Sequence, residues 1–139
     1  MTAGRRLISW LAVLAWAALI FYLSAQPNLT ITRHGILDFI LRKSAHMAAF
    51  GVLYVFLWNA LSRHGARNRP AIAAGGLLTL AYAASDEYHQ SFVRGRGAEL
   101  SDVFIDFAGA VIAAIVIQAI QRRREARGSR NSAGIPGRP

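Results

Sequence analysis

The 139-residue chain contains no cysteine, which excludes disulfides, thiolate metal sites and cysteine nucleophiles together and leaves the redox compartment undetermined. Acidic residues are few, 7 against 16 lysines and arginines, and charged residues of both signs make up only 17% of the chain. So little charge, with 54% hydrophobic residues, excludes a disordered chain or a nucleic-acid-binding tail. No internal repeat stands out, and no loop is long enough to hold a soluble domain.

What the chain does contain is apolar residues in long blocks, separated by breaks that carry arginine. A soluble domain would spread them at helical or alternating periods. The blocks run over 7–23, 44–61, 71–92 and 103–120. At 1.5 Å rise per residue, spans of roughly 17 to 22 residues cover about 25 to 33 Å, the hydrocarbon thickness of a bilayer. The fold expected is therefore all-α, a polytopic membrane protein with four transmembrane helices in a compact bundle. Residues 1–121 form that domain, and 122–139, rich in Arg, Gly, Ser and Pro, form a basic cytoplasmic tail that is expected to be disordered, having no apolar face to bury.

Basic residues set the expected topology. Arg5 and Arg6, the loop arginines Arg63, Arg67 and Arg69, and the six arginines from Arg122 to Arg138 place eleven on one side. Arg33, Arg42, Lys43, Arg94 and Arg96 place five on the other, so both termini are expected in the cytoplasm. Of the seven acidic residues only Glu125 falls on the inner side. A charged start, an apolar run and the small residues Ser24 and Ala25 also imitate a cleaved signal peptide. The run exceeds the usual signal core and three further apolar blocks follow, which favours an uncleaved first helix. The net charge of +9 does not indicate nucleic acid, because four spans divide the basic residues.

Polar groups in membrane helices are costly, so those present locate the candidate site. In the second block Lys43 and His46 share a face, which Phe50 and Tyr54 continue. In the third, Asp86 and Glu87 stack with Gln90 at spacings of four and three. The loop Val93-Arg94-Gly95-Arg96-Gly97 offers guanidinium groups suited to phosphate or carboxylate. In the fourth, Ser101 or Asp102 can cap the helix, Asp106 lies one turn deeper, and Ala108, Gly109 and Ala110 suit close helix packing.

The expected topology gathers these groups at the outer leaflet. His46, Asp86 and Glu87 are the candidate catalytic residues, since a histidine beside a carboxylate suits proton transfer. Lys43, Gln90, Arg96, Asp102 and Asp106 are the candidate substrate-binding residues. Carboxylates with histidine can also hold a divalent metal; the sequence leaves both metal and cofactor open. His34, His64 and His89 read as loop or interfacial residues.

These residues resemble the VanZ-like membrane protein family. The resemblance rests on Ser24-Ala25-Gln26-Pro27, on Lys43-x2-His46 with Phe50 and Tyr54, and on Asp86-Glu87-x2-Gln90-x-Phe92, and it continues through Arg96, Asp102 and Gly109. It covers roughly residues 7 to 120. Two positions depart from the family pattern: Asp106 stands where an asparagine is common, and Ala25 replaces a second serine. The resemblance implies a small helical protein of the bacterial cytoplasmic membrane, in a family named for a member linked to resistance to the glycopeptide teicoplanin. It carries no defined reaction with it.

Three readings of function follow. In the first, the outward cluster binds or acts on the headgroup of a membrane lipid or lipid-linked envelope precursor, with Arg96 and Lys43 on phosphate. In the second, the protein is a structural or partner-binding subunit whose cluster is an ion-pair network, so that reversing Arg96 and Glu87 together preserves it. The third, a proton-coupled transporter, fits less well, because the inner halves of the helices offer little beyond Asn59, Thr79 and Gln118.

Overall fold

The structure, a computed structural model, describes residues 3–27, 32, 35–63, 68–96 and 99–133. Four helices follow one another: α1 (Ala3–Ser24), α2 (Gly35–Arg63), α3 (Asn68–Gln90) and α4 (Leu100–Ala133). No strand occurs among the described residues. Arg33, His34, His64, Arg67, Gly97 and Arg138 lie outside them.

Helix α2 is the centre of the bundle, packing most extensively on α4 and also on α3 and α1, whereas α1 meets α3 only slightly. Its buried side chains Phe50, Leu53, Tyr54, Leu57 and Ala60 recur every three or four residues, the spacing that puts them on one helical face. Val13 and Ile20 of α1, Ala83 of α3 and Val103 of α4 close around that face. At the edge of that face, Tyr54 forms a second cluster with Ala110 and Ile117 of α4. The polar ends of core aromatics are satisfied by helix carbonyls: Trp16 Nε1 donates to Ala49 O at 2.9 Å, and Tyr82 Oη to Ala17 O at 2.6 Å.

The outer faces are apolar. Leu7, Ile8, Leu11 and Leu14 of α1, and Phe104, Ile112, Ile115 and Val116 of α4, are among many large hydrophobic side chains left exposed. An apolar exterior of this extent suits lipid as the surrounding solvent. Helices α1, α2 and the 100–129 part of α4 are long and apolar enough to cross a membrane. Helix α3, 23 residues long, has the length without that composition. Gly75, Gly76, Thr79, Ser85, Asp86 and Glu87 dilute it, and Thr79, Asp86 and Glu87 point into the bundle.

Two helices exceed the expected spans by about three turns or more. Helix α2 begins at Gly35 rather than at 44, so Arg42 and Lys43, which the sequence places at its opening, lie about two turns inside it. Asp38 steadies this first part, accepting from Thr32 N at 3.0 Å and pairing with Arg42 Nε at 2.8 Å. Helix α4 continues to Ala133, twelve residues into the segment expected to lack structure. Its residues 122–129 are exposed. Arginine, glutamate and alanine are good helix formers, and extending a nucleated helix adds one hydrogen bond per residue fixed, so this segment needs no packing face.

Candidate functional site

The α3–α4 turn brings polar groups from all four helices to one end of the bundle. Gly95 adopts φ 84, a left-handed backbone that glycine allows, and the chain doubles back there to present Arg96 inward. The result is a cavity of about 200 Å³. Its wall comprises Phe39, Arg42, Lys43 and His46 of α2, Glu87 and Gln90 of α3, Gly95, Arg96 and Glu99 of the turn, and Asp102, Ile105 and Asp106 of α4.

Asp86 lies behind this wall and is 2% exposed. Its Oδ2 accepts two hydrogen bonds, from Ser24 Oγ of α1 and from Gln90 Nε2 one turn along α3, both at 2.8 Å. Its Oδ1 is buried without a hydrogen-bond partner. Gln90 passes the network on, its Oε1 accepting from Arg96 Nη1 at 3.0 Å. The remaining donors of Arg96 reach the end of α1, with Nε on Gln26 O and Nη2 on Leu23 O, both at 3.2 Å. Burial pushes the Arg96 guanidinium below its usual value; Asp86 opposes this, Arg42 adds to it and Glu87 opposes it. The guanidinium remains a cation at neutral pH.

Glu87 accepts the Glu99 backbone N–H at 2.6 Å and so ties the start of α4 to the end of α3. Lys43 pairs with Asp102 across α2 and α4. The expected caps of α4 are therefore replaced: Glu99 precedes the helix, Asp102 is drawn to Lys43, and Ser101 Oγ donates to Glu99 Oε2 at 3.1 Å. One turn deeper, Asp106, 2% exposed, faces His46, with Oδ2 3.6 Å from Nδ1. His46, Asp86 and Asp106 each offer one ligand atom, and these atoms lie within 4.8 Å of one another, a set able to hold a metal ion.

Every candidate residue read from the sequence thus falls at this end of the bundle, though not always in the pairs expected. His46 faces Asp106, and Arg96 bonds to Gln90 and two carbonyls while Glu87 takes a backbone N–H. His89 lies apart from the cavity, its ring 4.2 Å from that of Phe21. Reading by residue type overlooked Ser24, which is 1% exposed and donates directly to Asp86. The signal was its place as the last residue of α1, in the Ser-Ala-Gln-Pro run.

Beside the polar cavity lies an apolar crevice of about 100 Å³ between α1 and α2. Ile20, Leu23, Ala45 and Ala49 line it, and it shares Arg42, His46 and Arg96 with the polar cavity.

A helical chain with three helices long and apolar enough to cross a membrane, and a polar cluster buried at one end, has the build of a small membrane protein. The chain belongs to the VanZ/LLP1 family, whose model matches residues 9–121. No curated protein and no solved structure matches it significantly.

Proposed function

We propose that the protein is a multi-pass protein of the bacterial cytoplasmic membrane that binds the polar headgroup of an envelope lipid or lipid-linked precursor at its extracytoplasmic face. In this reading all four helices cross the bilayer and both termini are cytoplasmic. The excess of arginine at the opposite end of the bundle supports that orientation. The observation that carries the reading is the junction of two cavities: the polar one meets the apolar crevice at Arg42, His46 and Arg96. An amphiphile needs that combination, with its headgroup among charges and the start of its chain against Ile20 and Leu23. Lys43 and Arg96 supply cations for a phosphate. A change in such a precursor would extend to teicoplanin susceptibility, as the family resemblance suggests.

Comparing envelope lipids by mass spectrometry tests this in cells lacking the protein and in cells supplied with wild type, His46→Ala or Glu87→Gln at matched levels. A lipid species that changes only with wild type is expected. Identical lipid profiles in all strains would favour the second reading, a structural subunit held by its polar bonds. The links of Lys43 to Asp102 and of Arg96 to α1 and α3 are what favour that alternative.

A further inference from the structure

We infer that His46, Asp86 and Asp106 form a binding site for one divalent transition-metal ion of the zinc or manganese class. Three observations converge on it. The first is the ligand set: one imidazole nitrogen and two carboxylate oxygens, from three helices, lie within 4.8 Å of one another. Ligand atoms bound at about 2.1 Å to a single ion sit about 3 to 3.4 Å apart, and the 3.6 Å between His46 Nδ1 and Asp106 Oδ2 is already near that spacing. Small side-chain rotations close the rest.

The second observation is independent of the cluster's composition. Asp86 is 2% exposed, and its Oδ1 has no hydrogen-bond partner although Oδ2 accepts two. A buried carboxylate oxygen left without a donor is costly. An ion between Asp86 and Asp106 would satisfy it. Ser24 and Gln90 hold the other oxygen, the kind of outer support by which proteins orient metal-binding carboxylates.

The third is charge. Asp86 and Asp106 are both buried, and Lys43 is taken by Asp102. Arg96 bonds to Gln90 and main-chain carbonyls rather than to either carboxylate, and its charge acts on Asp86 only from a distance. A divalent cation between the two carboxylates would offset their charge directly. Mixed nitrogen and carboxylate ligands suit zinc or manganese better than calcium, which takes six to eight oxygens. Because His46 and Asp106 also line the polar cavity, such an ion would have an open position towards it, the arrangement of a metal that meets a ligand.

The site borders the headgroup cavity and shares His46 and Asp106 with it, but it does not depend on the headgroup reading and is tested without lipid. The chain, purified in detergent without a polyhistidine tag and stripped by chelator, is titrated with Co²⁺ as a spectroscopic probe and then with competing Zn²⁺. One Co²⁺ per chain is expected, with visible absorption bands that Zn²⁺ abolishes and an unfolding midpoint raised by roughly 5 °C at saturation. Loss of a group supporting a metal ligand costs about 10 to 100-fold in affinity, and loss of a ligand costs more. Ser24→Ala is thus expected to fall in that range, and His46→Ala and Asp106→Asn beyond it. Glu125→Gln, on the exposed end of α4, should bind as wild type does. His46 is half-buried, so its alanine variant is the one most suited to fold normally, which elution volume and helical circular dichroism check. Wild type that binds no ion stoichiometrically overturns the site whatever the variants do, and so does a folded His46→Ala that binds with wild-type affinity. Either failure leaves the lipid comparison standing, and unchanged lipids leave this titration standing.

Discussion

A Cβ added to Gly109 of α4 would lie 1.9 Å from the carbonyl oxygen of Met47 on α2. The two backbones touch there, and Gly51 faces the same crossing, its own added Cβ 3.1 Å from Gly109 O. Met47 follows His46 and Gly109 lies three residues after Asp106, so the close approach also sets the distance between those two side chains. Gly109→Ala must push α2 and α4 apart. It is expected to destabilise the protein by about 1 to 3 kcal/mol or more, as overpacked cores do. Gly76→Ala meets nothing within 4 Å and should be neutral or stabilising by up to about 1 kcal/mol. Unfolding midpoints in detergent compare them, and equal midpoints would refute the backbone contact.

The bond from Ser24 to Asp86 joins α1 to α3, helices that otherwise meet little. Removing the hydroxyl leaves a buried carboxylate oxygen with Gln90 as its remaining donor. Ser24→Ala is therefore expected to cost about 1 to 3 kcal/mol. Ser85→Ala, which removes an exposed hydroxyl bonded locally to Tyr82 O, should stay within about 0.5 kcal/mol. Chemical denaturation of both variants checks the difference, and a Ser24 variant as stable as the Ser85 variant would contradict it.

Lys43 and Asp102 are the pair on which a charge swap is informative. Both side chains are about a quarter exposed, so their link is partly screened but not a surface contact. Lys43→Asp or Asp102→Lys alone places like charges together. The double variant restores attraction, with a coupling of about 0.5 to 3 kcal/mol expected from the cycle. Stability recovered without recovery of the lipid phenotype would assign Lys43 to ligand, whereas recovery of both would assign it to structure. The swap of Arg96 with Glu87 should restore neither, because each bonds to other partners.

The sequence discloses relations within a helix far better than those between helices. Lys43, His46, Phe50 and Tyr54 share a face by spacing alone, and Phe50 and Tyr54 are indeed fully buried. Asp86 and Gln90 bond one turn apart for the same reason. Ser24 enters through the family resemblance and not as a site residue, because its partner lies 62 residues away and no spacing within a helix points to it. Asp102 was legible as a cap but is taken by Lys43, 59 residues distant. The helix ends were misjudged on a physical ground too: bilayer thickness limits the apolar stretch, not the helix, so α2 starts nine residues early and α4 runs on past its last apolar turn.

The orientation and the crossing of α3 rest on one mapping experiment that the absence of native cysteine keeps free of background. Arg69 at the start of α3, Glu99 after it and Arg123 near the end of α4 are all exposed. Each is replaced singly by cysteine and treated with a membrane-impermeant maleimide, on intact cells and after permeabilisation. If α3 spans the bilayer with the cytoplasmic termini proposed, Glu99→Cys labels in intact cells while Arg69→Cys and Arg123→Cys label only once the membrane is opened. Reversed labelling would turn the bundle over and put the polar cavity in the cytoplasm. Arg69→Cys and Glu99→Cys labelling from the same side would mean that α3 enters and leaves by one face. Its 23 residues reach about 34 Å at 1.5 Å each, enough to cross, and its carboxylates lie near one end facing the bundle, where lipid does not meet them. Labelling from opposite sides is therefore the expected result.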